Sequence, residues 1–284
     1  MTGYEALRMD VAWLDLSARG ILRLTGEDRA RLLHALSTTH IQDLSPGAGV
    51  YAFFLNEKGR ILADSYIYNL GESFLLDTEP ETAATLRDHL DRYIIADDVT
   101  VEDQTGRRPV IGLEGPASFE RAATLGIPVP GQPFGIEPYG DGFVARVAAT
   151  GLAGLRLWLS TAEKEALLAD IPEAMPQEAR IVRLENGLPR YGEDITSRFL
   201  VQETQLLHAV HFNKGCYLGQ EIVERVRSRG QVHRLLTPIQ LAGAAAPEPG
   251  TKLTIDGKAA EITSAAYSPA LGKVVALAYV RTER

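Results

Sequence analysis

Only one cysteine, Cys216, stands among the 284 residues, together with two tryptophans and three methionines. A single thiol closes no internal disulfide, so nothing in the chain calls for an oxidising compartment. It also narrows metal chemistry, because zinc and iron–sulfur sites draw on about three or four ligands. The histidines show no zinc-type spacing with Cys216, and His208 and His211, three apart, read as surface or core residues. No metal site is expected within one chain. Long apolar runs are missing too, and none approaches the ~20 residues of a membrane span. Residues 1–10 carry Glu5 and Asp10 and have no apolar core, so they do not read as a signal peptide. Basic residues are outnumbered, 29 Lys and Arg against 37 Asp and Glu, leaving a net charge of −8. That balance argues against a general nucleic-acid or anionic-membrane binder. The expectation is a cytoplasmic protein with no membrane partner, and nothing demands more than a monomer.

Hydrophobic residues make up 45% of the chain, and its length suits two or three domains better than one core. Residues 20–25 read as a strand, with Thr25 and Asp28 forming a capping-box-like start to a helix that repeats Leu32, Leu33 and Leu36. Residues 51–55 and 61–68 are strand patterns around Asn56-Glu-Lys-Gly-Arg60, a hairpin signature. A strand–Gly–helix echo of Leu24-Thr-Gly26 returns at Leu113-Glu-Gly115. Residues 178–187 read as a helix stopped by Gly187. Beyond Arg234 the patterns are all strand, with Asp256-Gly257 as a hairpin turn.

Polar chemistry is concentrated in residues 183–234. Arg183-Leu-Glu185 leads to Tyr191-Gly-Glu-Asp194, then to Asn213-Lys214-Gly215-Cys216-Tyr217-Leu218-Gly219-Gln220-Glu221, with Arg225, Arg227, Arg229 and Arg234 behind. A thiol beside a lysine and ahead of a helix start can be held as the thiolate. The arginines read either as a solvated helix face paired with Glu221 and Glu224 or as partners for an anionic ligand tail.

Lys214-Gly-Cys-Tyr-Leu-Gly-Gln-Glu221, followed by Arg225, Gly230 and Arg234, resembles the signature of the YgfZ family. The segments 24–29 and 55–62 and the terminal strand region fall in that family's order, so the resemblance covers most of the chain. It implies a tetrahydrofolate-binding protein that assists iron–sulfur cluster assembly or repair in client enzymes, with tetrahydrofolate or a one-carbon derivative as cofactor. Cys216 would be the functional thiol and Lys214 would stabilise its thiolate. Gly215 and Gly219 would permit the turn, Tyr217 belongs to the motif, and Gln220 and Glu221 would fix the loop at the helix start.

The same architecture belongs to the glycine cleavage T-protein, a folate-dependent aminomethyltransferase, which Arg183-Leu-Glu-Asn-Gly and Tyr191-Gly-Glu-Asp194 resemble closely. The resemblance implies an α+β, three-lobed folate-binding fold: two interleaved units over 1–105 and 106–234, and a C-terminal β-barrel over 235–284. Asp64 aligns with an acidic pair, one member of which is catalytic there. Arg183, Glu185, Tyr191, Asp194 and Arg225 are the implied folate contacts. The glutamate of the T-protein's Thr-Gly-Glu stretch is replaced, since the chain reads Thr150-Gly151-Leu152. A folate-dependent aminomethyltransferase or demethylase using Asp64 is the alternative function. A tRNA-related accessory role has only the arginine strip in its favour.

Overall fold

The computed structural model describes residues 1–230 and 232–282. The chain begins with helix α1 (Gly3–Met9) and strand β1 (Ala12–Asp15). Next come β2 (Gly20–Thr25), α2 (Arg29–Leu36), β3 (Gly49–Leu55), β4 (Ile61–Asn69), β5 (Phe74–Thr78), α3 (Ala83–Tyr93) and β6 (Thr100–Asp103). A second set follows: β7 (Val110–Glu114), α4 (Ser118–Thr124), β8 (Ile136–Tyr139), β9 (Gly142–Ala145), β10 (Gly154–Trp158) and α5 (Thr161–Leu168). Helix α6 (Pro176–Glu185) and helix α7 (Gln220–Arg229) lead to β11 (Arg234–Leu241), β12 (Lys252–Ile255), β13 (Lys258–Ser268) and β14 (Lys273–Arg281).

The first sheet has the order β3-β4-β5-β2-β6 and the second β8-β9-β10-β7-β1. These are the same arrangement. In each, one strand opens into a helix, a three-strand meander returns beside it, and a fifth strand closes the far edge. The first sheet takes that fifth strand from downstream and the second takes it from the start of the chain. The strand–Gly–helix echo in the sequence marks the matching corner of both. Gly26 (φ 103°) and Gly115 (φ 129°) sit there in conformations that L side chains avoid. An added Cβ would lie 2.0 Å from the Asp98 carbonyl or 2.4 Å from that of Asp10.

Period-two alternation sends one face of each sheet to its helices and the other face to its twin. Leu22, Leu24, Ala52, Phe54, Ala63 and Ile67 pack under α2 and α3. Ile111, Leu113, Val144, Leu155 and Leu157 lie in the α4 and α5 layer. Ile21, Tyr68, Leu75, Ala145 and Trp158 join the two sheets.

The C-terminal strands form a four-stranded antiparallel sheet, order β11-β14-β13-β12. Among the described residues β11 and β12 do not pair with each other, so the expected barrel is a half-barrel. Residues 283 and 284 of its expected range lie outside the described residues. The helix start near Thr25 also differs from expectation. Asp28 is the N-cap residue, and its carboxylate accepts from the Asp98 N–H at 2.9 Å instead of capping α2. No helix among the described residues is long and apolar enough to cross a membrane.

Candidate functional site

A cavity of about 900 Å³ lies between the two five-stranded sheets, α6 and the short 3-10 turn Leu207–Ala209. The register of the β3–β4 hairpin builds its most reactive wall. The Asn56 side chain closes that hairpin by accepting from the Lys58 and Arg60 N–H groups at 2.9 and 3.0 Å. Tyr51 thereby stands opposite Tyr66, and Asp64 opposite Phe53. Tyr51, Asp64 and Tyr66 then fall on the face turned away from α2 and α3, and all three line the cavity.

Asp64 is buried, and its Oδ2 accepts the Tyr51 hydroxyl at 2.7 Å. Its Oδ1 has no partner among the described residues. Burial, followed by the negative charge of Glu79, pushes the Asp64 carboxyl up to about 7, against the pull of the Tyr51 hydrogen bond and Arg19. A carboxyl so placed exchanges protons at neutral pH, as a general acid or base requires.

The charges around it are paired. Arg19 donates to Asp77 and Glu79, and Arg156 donates to the other Asp77 oxygen. Arg190 reaches Glu79 at 2.9 Å and Glu81 at 2.8 Å. Burial pushes the Glu79 carboxyl up, but Arg19 and then Arg190 outweigh it and hold it below its ordinary range. Glu79 therefore stays charged, and its field helps to keep the proton on Asp64.

An aromatic series leads away from Asp64. The Tyr51 and Tyr66 ring centroids are 5.1 Å apart, and those of Tyr66 and Phe134 are 5.6 Å apart. The Phe134 N–H donates to the Arg146 carbonyl at 3.0 Å, which brings Arg146 to the end of the series. The Arg146 guanidinium lies 4.9 Å from the Phe119 ring centre and has no acidic partner among the described residues. Gly151 and Leu152 line the cavity where an acid is missing from the sequence pattern. Glu114, buried beneath that loop, is held by the Ala149 N–H at 2.7 Å and the Thr150 N–H at 2.9 Å.

Of the residues expected from sequence, Asp64 and Arg183 line this cavity. Arg183 donates to Asp194 at 2.7 Å, and also to Glu193 and the Leu188 carbonyl. Asp194 is fully buried, accepting in addition from the Arg190 N–H at 3.0 Å, Thr263 at 2.6 Å and Ser264. It ties α6 and the following loop to the half-barrel. Glu185 does similar work at the other end of α6, accepting from Tyr4, Arg8 and Ser268. The Tyr191 hydroxyl donates to the Leu62 carbonyl at 2.7 Å. Arg225 is exposed on α7. Glu185, Tyr191, Asp194 and Arg225 are not among the residues lining this cavity, and the first three are bonded to the protein. Asp194→Ala leaves Arg183 with Glu193 as its acidic partner but removes the shared acceptor of the Arg190 N–H, Thr263 and Ser264, and is expected to cost about 3 kcal/mol in urea unfolding.

Cys216 is exposed and does not line the cavity. Lys214 does not face the thiol either. Its Nζ is buried and donates to the carbonyls of His34 in the last turn of α2 and of Ser37 (2.6 Å) and Thr39 (2.9 Å) just beyond it. Burial pulls the ammonium down to about 7, whereas three carbonyl acceptors satisfy all its protons and favour the charged form. Gly215 and Gly219 adopt φ of 93° and 82°, and Gln220 accepts from the Tyr217 N–H at 3.2 Å. Glu221 is exposed. Among the described residues no cluster of His, Cys, Asp or Glu is arranged to hold a metal ion.

Two family models match the chain: the GCVT N-terminal domain over residues 2–132 and the glycine cleavage T-protein C-terminal barrel domain over 218–284. An aminomethyltransferase of Prochlorococcus marinus (strain MIT 9313) is 30% identical over 98% of this chain and 81% of its own length. One from Rubrobacter xylanophilus is 29% identical over 99% of this chain and 78% of its length. A chloroplastic protein of Arabidopsis thaliana, described as a transferase, is 29% identical over 89% of this chain, and the match spans 61% of that relative. The crystal structure of the glycine cleavage system aminomethyltransferase T from Bartonella henselae superposes with a TM-score of 0.89 at 23% identity, over 98% of this chain and 80% of that one. That likeness carries the fold.

Proposed function

Because the chain belongs to the aminomethyltransferase family of the glycine cleavage T-protein, we propose that it binds a reduced folate in the central cavity and transfers a one-carbon unit there, with Asp64 moving the proton. The observation that carries this reading is the Asp64 carboxyl, buried in the cavity wall with one oxygen held by Tyr51 and the other without a partner. The residues present suit such a ligand. A folate is a flat polar pterin joined through an aromatic ring to an anionic glutamate. The cavity offers a carboxyl with one unpartnered oxygen, a series of rings and, beyond them, a guanidinium without an acid. Asp64 would meet N–H groups at the pterin end, Tyr51, Tyr66 and Phe134 would pack on the flat portions, and Arg146 would take the glutamate.

When bound, the folate supplies the nitrogens that accept the carbon. The chain's own part is to hold the Tyr51 O–H on Oδ2, keep Oδ1 available for a proton and retain the Glu79 charge nearby. Leu188, Leu206 and Phe134 add apolar side chains to the cavity lining. The test is turnover of an aminomethyl donor with tetrahydrofolate. Wild-type activity that is lost in Asp64→Asn supports the reading, and activity unchanged in that variant refutes it.

A second reading draws on the thiol motif. Cys216 is exposed on a loop that Lys214 fastens to the end of α2, outside the cavity. Such a thiol meets another macromolecule more readily than a ligand in the cavity. This placement favours a role with iron–sulfur assembly or client proteins, in keeping with the resemblance of residues 214–221 to the YgfZ signature.

A further inference from the structure

We propose that His208 is a second proton-carrying catalytic residue of the cavity, the base that works against the Asp64 acid; this rests on the folate-transfer reading above. His208 lies in the turn Leu207–Ala209 and lines the cavity. Its ring stands 5.7 Å from the Tyr51 ring, tilted by 30°. Tyr51 thus touches both groups, His208 through its ring and Asp64 through its hydroxyl.

The turn is well fixed. The Thr38 and Thr39 hydroxyls both donate to the Ala209 carbonyl, at 2.5 and 2.9 Å. The Ala209 N–H donates to the Leu206 carbonyl at 3.0 Å. The imidazole itself is uncommitted: among the described residues neither ring nitrogen of His208 has a hydrogen-bond partner. His34 makes the contrast, with Nδ1 accepting from the Ile41 N–H at 3.3 Å and Nε2 donating to the Lys214 carbonyl at 3.1 Å.

The chemistry needs two such groups. A carbon transferred at the formaldehyde level keeps its electrons, so no oxidant or reductant enters. For each bond made, the attacking nitrogen gives its lone pair to carbon and releases its N–H proton. For each bond broken at that carbon, the departing atom keeps the electron pair and takes up a proton. One group must accept while another gives. Asp64, whose proton is held by burial and by Glu79, suits the giving. Burial lowers the His208 pKa and leaves the imidazole neutral and able to accept. Glu79, Arg19 and Arg190 share the wall but are committed to one another.

The experiment uses the full chain with His208→Gln and His208→Phe, tetrahydrofolate and an aminomethyl donor. Calorimetry reads tetrahydrofolate binding, and proton NMR follows the His208 ring against pH with and without tetrahydrofolate. Both variants are expected to bind within about threefold of wild type and to lose roughly 100-fold in kcat, as loss of one acid–base group does. The acid limb of the pH–rate profile should vanish in both. The wild-type ring should titrate below its ordinary range, and tetrahydrofolate should shift its midpoint. Full kcat in His208→Phe, or an acid limb that survives, overturns the proposal and reduces His208 to packing on Tyr51. If Asp64→Asn loses turnover and the His208 variants keep it, only this inference fails. If wild type neither binds nor turns over, the folate reading fails and this one with it.

Discussion

Asp64→Asn should make the protein more stable at pH 8 while removing its turnover. The unfolded carboxyl ionises near its ordinary value of about 3.9, and the folded one at about 7. Between these values the unfolded state holds fewer protons than the folded state, so wild-type stability falls as pH rises through that window. Asparagine does not titrate and can still accept the Tyr51 hydroxyl. The stability gap between variant and wild type should therefore open from about pH 4 to about pH 7 and stay level above. At about 1.4 kcal/mol per pKa unit the full gap is roughly 2–4 kcal/mol. Urea unfolding at pH 5 and pH 8 measures it, and a gap equal at both would mean the carboxyl is not held protonated by the fold. Turnover should fall by about 10²–10⁴, the usual share of one acid–base group. A residue that costs stability and carries chemistry is what a functional site is expected to contain.

Lys214→Met has the second large expected effect. It leaves the His34, Ser37 and Thr39 carbonyls without their shared donor in a buried place. A loss of about 2–4 kcal/mol should follow, with the loop 213–219 released from the end of α2. Cys216→Ala, at an exposed position, should stay within about 0.5 kcal/mol of wild type. Thermal unfolding of the two variants separates these roles. If both destabilise alike, the thiol is part of the packing and the outward-facing reading falls. If Cys216→Ala is stable but fails to support iron–sulfur enzymes in cells, the motif's work is done at the surface.

The hairpin 49–69 was legible from sequence because strand alternation and turn chemistry are local properties. The strand–Gly–helix echo likewise signalled the two matching sheets. Tyr51 and Tyr66 could have been placed beside Asp64 by counting register across the Asn56–Arg60 turn. Arg19, Phe134 and Arg146 could not, since contacts between the sheets bring them to the cavity. Lys214 misled for a related reason. Two residues from the thiol in an irregular loop, its long side chain turns back to carbonyls some 175–180 positions earlier. Glu185 and Asp194 read as ligand contacts because they are acidic and lie in a dense polar stretch. Their acceptor oxygens are filled by Tyr4, Ser268, Thr263 and Ser264 from the far ends of the chain.

Calorimetric titration of the full chain with tetrahydrofolate tests the central claim most directly. One saturable site is expected, retained in Cys216→Ala because the thiol lies outside the cavity. No saturable heat from wild type would contradict it, leaving a T-protein fold whose cavity does not take the folate.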